Sequence, residues 1–293
     1  MTTLFEKVTI VGIGHIGSSI ARVIKRDKLS DLIVALDSNL DHCVKAIELG
    51  IVDVANDNFV EAINDSDLIV LATPIGTYSD LITKIAPYLK TGTIVSDVGS
   101  VKTSVLRDVI PLLPKDVNFV PGHPIAGTEN SGPTSGFAEL FQGHWCILTP
   151  PFGTSEIAIE KIIALWESAG SMVKIMRADH HDIVLATISH LPHLIAYAIV
   201  GTVLDFETVL NQEVIKFSAS GFRDFTRIAA SDPIMWRDVF LNNKDAVLKI
   251  LQRFIDNLST LQKEISLGDG DNLEAYFRQT RTALRSITNI EID

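Results

Sequence analysis

Cysteine is scarce. The 293-residue chain has two, Cys43 and Cys146, too few for a disulfide framework and in keeping with a reducing compartment, the cytoplasm. Positive charge is also short: 25 Lys and Arg against 36 Asp and Glu leave a formal charge of −11. That balance excludes a general nucleic-acid surface, which needs a basic face, but an anionic small molecule can still be held by a local arginine. No basic leader precedes the first apolar run, Val8–Ile13, and glycines interrupt it, so it does not read as a secretory signal. Repeats and low-complexity tracts are missing. The longest uncharged stretch, 183–204, has the length of a bilayer span. It carries Ser189, His190, Pro192 and His193, with Asp179 and Asp182 just before it. Polar groups are costly inside a bilayer, so the stretch reads as a buried helix of a soluble domain and no membrane is expected.

What is present is core-forming material: 46% hydrophobic and 21% charged residues exclude wholesale disorder, and the length suits two domains. The first half alternates short apolar runs with helical patterns. Strands are predicted at 7–11, 32–36, 67–72, 93–96 and 117–120, then at 146–149 and 172–176. Helices fall at 16–25, through 44–49, and at 156–169. Runs that are apolar throughout, not alternating, are buried on both faces, as in a parallel sheet covered by helices. After residue 178 strand-like runs largely vanish, and helical periodicities cover 182–205, 247–264 and 272–287. Leu248, Leu251, Ile255, Leu258 and Leu261 form one apolar stripe, a core face that an all-helical domain often uses to dimerise. The boundary falls near 177; the Pro150-Pro151 pair reads as a turn within the first domain.

Gly12-Ile13-Gly14-His15-Ile16-Gly17 follows the first strand and opens a helix. The first glycine permits the turn, the second lets backbone approach a pyrophosphate, and the third allows close helix–strand packing. The helix start adds free N–H groups and a positive dipole end. Asp37 ends the second strand, twenty residues after Gly17, where a carboxylate binds ribose hydroxyls and repels a 2′-phosphate. No Lys or Arg lies between Asp37 and Lys45, so NAD is favoured over NADP. His15 reads as a spacer facing phosphate or solvent, grouped with Ile16 among the cofactor-binding residues. Thr73 and Pro74 end a further strand and border the cofactor. The fold class is an α/β Rossmann-type dinucleotide-binding domain, 1–177, followed by an all-α dimerisation domain, 178–293.

Two segments at strand ends carry candidate chemistry: Asp97-Val98-Gly99-Ser100-Val101-Lys102, and Pro121 through Gly132, which holds Gly122-His123-Pro124. A histidine between Gly and Pro has a constrained backbone, and near its ordinary pKa it can accept a proton at neutral pH; the plain alternative is a turn histidine capping a carbonyl. His190 and His193 share a helix face, yet zinc needs three or four ligands and no further histidine lies at matching spacing, so no metal is expected. His180-His181 reads as a surface pair at a helix start. Arg227 offers a planar fork to a carboxylate, with an ion pair to Asp224 as the alternative. These residues describe an NAD-dependent oxidoreductase of an acidic substrate and go no further.

The chain resembles the prephenate dehydrogenase family, which includes arogenate and cyclohexadienyl dehydrogenases of tyrosine biosynthesis. The resemblance runs from the glycine loop to the C-terminal helices. It is carried by Gly122-His123-Pro124-Ile125-Ala126-Gly127-Thr128-Glu129, Ser189-His190-Leu191-Pro192-His193, and Phe225-Thr226-Arg227 with Asp232-Pro233-Ile234-Met235-Trp236. It implies a cyclohexadiene substrate, prephenate or arogenate, with a 4-hydroxyl and a ring carboxylate. It further implies His123 accepting the hydroxyl proton as hydride leaves for NAD, with Ser100 beside it and Arg227 on the carboxylate. His193 would lie near the nicotinamide, Trp236 would wall the pocket, and Thr128 and Glu129 would stand at its entrance. A homodimer joined through the helical domains is implied. Arg223 stands where some relatives carry Lys. No fused chorismate mutase segment and no regulatory domain are expected at the ends. Two rival readings are a β-hydroxyacid dehydrogenase, which would normally want a lysine base, and a non-catalytic NAD-sensing module, which would need no proton acceptor.

Overall fold

The computed structural model describes residues 3–128, 130–210 and 219–288. An eight-stranded sheet runs in the order β3-β2-β1-β4-β5-β6-β7-β8. Its strands are β1 Phe5–Val11, β2 Ser30–Leu36, β3 Val54–Asn56, β4 Leu68–Leu71, β5 Ile94–Asp97, β6 Asn118–Pro124, β7 Trp145–Leu148 and β8 Met172–Ile175. From β3 to β6 all neighbours are parallel. Apolar residues pack both faces. Val8, Ile10 and Val70 join one buried cluster, while Val11, Ile69 and Leu71 join the other. That accounts for strands without polar alternation.

Between the strands lie α1 His15–Asp27, α2 Leu40–Glu48, α3 Phe59–Ile63, α4 Tyr78–Ile85, α5 Thr103–Val109 and α6 Glu156–Ser168. The Pro150-Pro151 pair falls between β7 and α6. The strand order reverses between β1 and β4, which opens a crevice at their carboxyl ends.

The expectation of a parallel sheet fails at one seam. Residues 118–121 of β6 pair parallel with β5, but Gly122, His123 and Pro124 pair antiparallel with Leu148, Ile147 and Cys146 of β7. Among the described residues no crossover helix separates β6 from β7, and the chain returns in the opposite direction. His123 therefore sits within a strand, paired with Ile147 of β7 just beyond the end of the β5 pairing, and not in a loop. The short strand β3 was not anticipated; three residues are too few for a periodicity.

Beyond β8 the described chain is helical. α7, Ala178–Leu185, passes through one π-helical turn, Ala186–His190, into α8, Leu191–Leu210. α9, Ser220–Thr226, leads through a 3₁₀ turn at Arg227–Ala230 to α10, Pro233–Asn242. Asp232 caps α10 by accepting from the Ile234 and Met235 N–H groups, both at 2.8 Å. In the most apolar window of 178–205 only 22% is buried within this chain, so the helix keeps an extensive apolar surface. By contacts the chain divides into two compact units, 1–244 and 245–293. The second comprises most of α11, Lys244–Leu267, and α12, Gly270–Thr288. On α11, Leu248, Ile255 and Leu258 of the apolar stripe are exposed.

Candidate active site

The glycine loop is shaped as its sequence requires. Gly12 has φ +93°, and a Cβ there would lie 2.8 Å from the Ala72 backbone and from Thr73 Cγ2, so Thr73 lies directly against the loop. A Cβ at Gly17 would collide with the Gly12 carbonyl. Gly14, by contrast, faces open space and begins α1 without a side-chain cap. The first-turn N–H groups therefore point where an anion fits. The Asp37 carboxylate accepts from the Ile13 and Asn39 N–H groups, each at 2.8 Å. It links the glycine loop to the start of α2 and keeps lone pairs for a ribose. Thr73 and Thr77 share a hydroxyl contact of 2.8 Å after β4, and Pro74 begins the 3₁₀ turn Ile75–Thr77. Uncapped helix start, open Gly14 and Asp37 together fit a dinucleotide.

His15 is not a spacer. It is buried, with Nδ1 2.9 Å from Ser135 Oγ and Nε2 3.4 Å from Thr128 Oγ1. Ser19 Oγ accepts from the Phe137 N–H at 3.2 Å. The β6–β7 connection is thus tied along the cofactor helix, and Thr128, itself exposed, reaches the glycine loop through His15. Ile16, the loop's other non-glycine candidate, is half-buried. Glu129 lies outside the described residues.

His123 is buried beside a dense polar group. Its Nδ1 lies 2.8 Å from His181 Nε2, and His181 Nδ1 lies 2.8 Å from Asp182 Oδ1. His181 is wholly buried, so only His180 is on the surface, as expected of both. Asp182 also accepts from the Lys102 N–H on Oδ1 and the Thr103 N–H on Oδ2, both at 2.8 Å. It thereby caps α5 from α7. Burial would raise the Asp182 carboxyl, but hydrogen bonds from His181, Thr103 and Lys102 outweigh it and hold the group below its ordinary value. Burial depresses both histidines, His123 most strongly, where His181 and Lys102 add to the effect; at His181 the Asp182 hydrogen bond opposes burial without overcoming it. Both imidazoles are neutral at pH 7.

Lys102 is entirely buried and donates to Asp97 Oδ2 at 2.6 Å and to the Gly122 carbonyl at 2.7 Å. Burial lowers Lys102 and raises Asp97, while their mutual attraction opposes both shifts. The pair fastens the backbone just before His123. Ser100, half-buried, leaves β5 next to the strand that carries His123.

A second group meets at the π-turn. His181 and His190 are nine residues apart, about half a turn out of phase in a straight α-helix. Asn243 nevertheless ties His190 to the backbone beside His181: its Nδ2 donates to the Asp182 carbonyl at 2.9 Å and to His190 Nδ1 at 3.0 Å. His193 donates from Nδ1 to the Ser189 carbonyl at 2.9 Å and stacks on Trp236. Trp236 clusters with Val101 and Val239, which brings α10 against the β5–α5 connection. Arg227 opens the 3₁₀ turn after α9 and is exposed. Among the described residues no three His, Cys, Asp or Glu side chains gather as a metal cage. Lys102 lay within a segment already singled out. From the sequence, His181 reads as a surface histidine, Asp182 takes no role in the site and Asn243 is not singled out; the signal for the first two is a His-Asp pair heading an uncharged helix.

The chain that carries this arrangement aligns with known proteins over nearly its whole length. A model described as the nucleotide-binding domain of prephenate dehydrogenase matches residues 20–175, and one described as its dimerization domain matches 177–279. The cyclohexadienyl dehydrogenase of Zymomonas mobilis is 41% identical, with 96% of each chain aligned. The prephenate dehydrogenase of Bacillus subtilis is 32% identical over 96% of this chain and 76% of its own. Among solved structures, Aquifex aeolicus prephenate dehydrogenase, in complex with hydroxyphenyl propionate and NAD⁺, superposes with a TM-score of 0.89 at 35% identity, covering 98% of each chain. Synechocystis arogenate dehydrogenase gives 0.79 at 28% identity, covering 96% and 99%. With both halves matched in order and relatives aligned almost end to end, the chain belongs to the prephenate dehydrogenase family.

Proposed function

We propose that the chain is a cyclohexadienyl dehydrogenase that oxidatively decarboxylates prephenate, arogenate or both in tyrosine biosynthesis. NAD is the cofactor, and it supplies the hydride acceptor. Gly12, Gly14, His15, Ile16 and Gly17 hold its pyrophosphate at the start of α1, Asp37 takes the ribose, and Thr73 and Pro74 border it. Residues 1–177 form the NAD-binding domain, and 178–293 form the substrate and dimerisation domain.

The observation that carries this reading is His123, a neutral imidazole fixed on the strand next to β5. It accepts the proton of the substrate 4-hydroxyl as the hydride leaves C4. The ring C–CO₂⁻ bond breaks, its electron pair enters the ring, and the proton returns to the phenolic oxygen. Aromatisation drives the step, so the protein's work is orientation and charge placement. Ser100 hydrogen-bonds the 4-hydroxyl, Arg227 binds the substrate carboxylate, His193 and Trp236 wall the pocket, and Thr128 and Glu129 stand at its mouth. A β-hydroxyacid dehydrogenase is disfavoured because histidines occupy the helical segment where a lysine base is wanted. The protein is soluble and cytoplasmic. It works as a homodimer, since the exposed apolar surfaces of 178–205 and α11 need a cover.

The test is NADH formation with prephenate and arogenate side by side. Turnover of either supports the assignment, and the ratio of kcat/KM values gives the preference. His123→Asn should retain NAD binding and lose about 10²- to 10⁴-fold in turnover. A folded protein that binds NAD but turns over neither compound would overturn the reading.

A further inference from the structure

We propose that Asp182 and His181 are positioning residues of the reaction: the chain Asp182–His181–His123 fixes the tautomer of His123 and shares the proton it accepts. The inference rests on the reading of His123 as proton acceptor. The ionised carboxylate of Asp182 only accepts, so His181 Nδ1 at 2.8 Å carries the hydrogen. A neutral His181 then has a lone pair on Nε2, and the 2.8 Å contact places the hydrogen on His123 Nδ1. The lone pair of His123 is thereby left on Nε2, the one ring nitrogen not engaged in this chain.

When the O–H bond of the substrate breaks, its proton goes to that Nε2. The cation formed can pass the Nδ1 hydrogen to His181, whose own Nδ1–H strengthens its bond to Asp182. Returning the proton to the phenolic oxygen reverses these shifts, and no other reactant is consumed. The anchor is rigid. Both Asp182 oxygens hold the start of α5, and its carbonyl accepts from Asn243. An orienting carboxylate behind a catalytic histidine is a recurring device for selecting the reactive tautomer.

The charged and titratable groups around His123 come from every neighbouring element. Lys102 and Asp97 lie on the β5–α5 segment, His181 and Asp182 on α7, His190 on the π-turn, and Cys146 on β7. Lys102, His181 and His190 disfavour a charged His123, and burial keeps the Cys146 thiol neutral. Asp182 is therefore the anion linked to His123 by hydrogen bonds.

Asp182→Asn removes the charge, keeps one acceptor oxygen where the carboxylate used two, and sets an amide NH₂ against either the Lys102 or the Thr103 N–H. We expect kcat to fall roughly tenfold to a hundredfold with KM within about twofold. The acid limb of kcat/KM should move about one pH unit lower, because the imidazolium loses its counter-charge. His181 supplies the second arm, which decides the matter if Asp182→Asn does not fold. His181→Gln offers an amide oxygen to His123 Nδ1–H and should retain about tenfold more turnover than His181→Phe. An unmoved acid limb in Asp182→Asn, or equal losses in the two His181 variants, would overturn the proposal. His123→Asn separates the two readings. Normal turnover there defeats the acceptor role itself, whereas its loss beside an unmoved acid limb defeats only the relay.

Discussion

The indole of Trp236 lies on the imidazole of His193, ring centroids 3.7 Å apart and planes inclined by 23°. Because His193 Nδ1 donates to the Ser189 carbonyl, the neutral ring has its lone pair on Nε2, and the stack fixes which way that nitrogen points. Trp236→Ala should cost about 3–5 kcal/mol of stability, as for a large core aromatic, and should also raise the KM for substrate. Urea unfolding and initial rates separate the two effects. A stability loss with unchanged KM would make Trp236 a packing residue and no part of the pocket wall.

Arg227 is assigned to the substrate carboxylate. A charge-assisted contact of that kind is worth about 1.5–3 kcal/mol. Arg227→Ala should therefore raise KM roughly tenfold to a hundredfold while kcat changes little. If KM stays put, the guanidinium serves the fold of the Arg227–Ala230 turn instead.

Asp37 is the proposed selector between cofactors. Removing a carboxylate that would repel a 2′-phosphate, as in Asp37→Ser, should shift the NAD/NADP ratio of kcat/KM toward NADP by about tenfold or more. The Ile13 N–H loses its acceptor in the same variant, so NAD binding should weaken too. A ratio equal to that of the parent would remove Asp37 from cofactor selection.

Acid should destabilise the protein before its carboxylates titrate. Burial pulls His190 from 6.5 to about 4. Between those values the unfolded chain binds a proton that the folded chain does not. Stability is then full above pH 6.5 and falls as pH drops toward 4, by about 3 kcal/mol for this group. The lowered His123 and His181 act in the same direction. Urea midpoints at pH 7.5, 6 and 5 should fall steadily, and more gently in His190→Gln; parallel curves for the two proteins would refute the assignment.

Much of this molecule is legible in its sequence. β4 is apolar from end to end and β1 and β2 are largely apolar over their second halves, because both faces are covered there, so their positions are plain, and the glycine loop announces its own geometry at Gly12 and Gly17. Pairing direction is another matter. Whether β7 runs with or against β6 depends on the path of residues 125–144, and no local pattern records that path. His181 looked like a surface residue because its neighbours in sequence are polar; it is buried because α7 packs against the start of α5, a tertiary fact. The two histidines nine positions apart could not be grouped from a helical wheel, since the wheel assumes an unbroken α-helix.

That interruption at Ala186–His190 makes the length of this segment a functional quantity. A single π turn accommodates one residue more than a regular helix. A one-residue deletion there should restore a continuous α-helix, with hardly any loss of helical content by circular dichroism, and leave His190 and His193 near their present phase relative to His181, because the wide turn had absorbed the extra residue. A one-residue deletion in the regular turns on either side, which no wide turn absorbs, would instead rotate the two histidines about 100° away from His181.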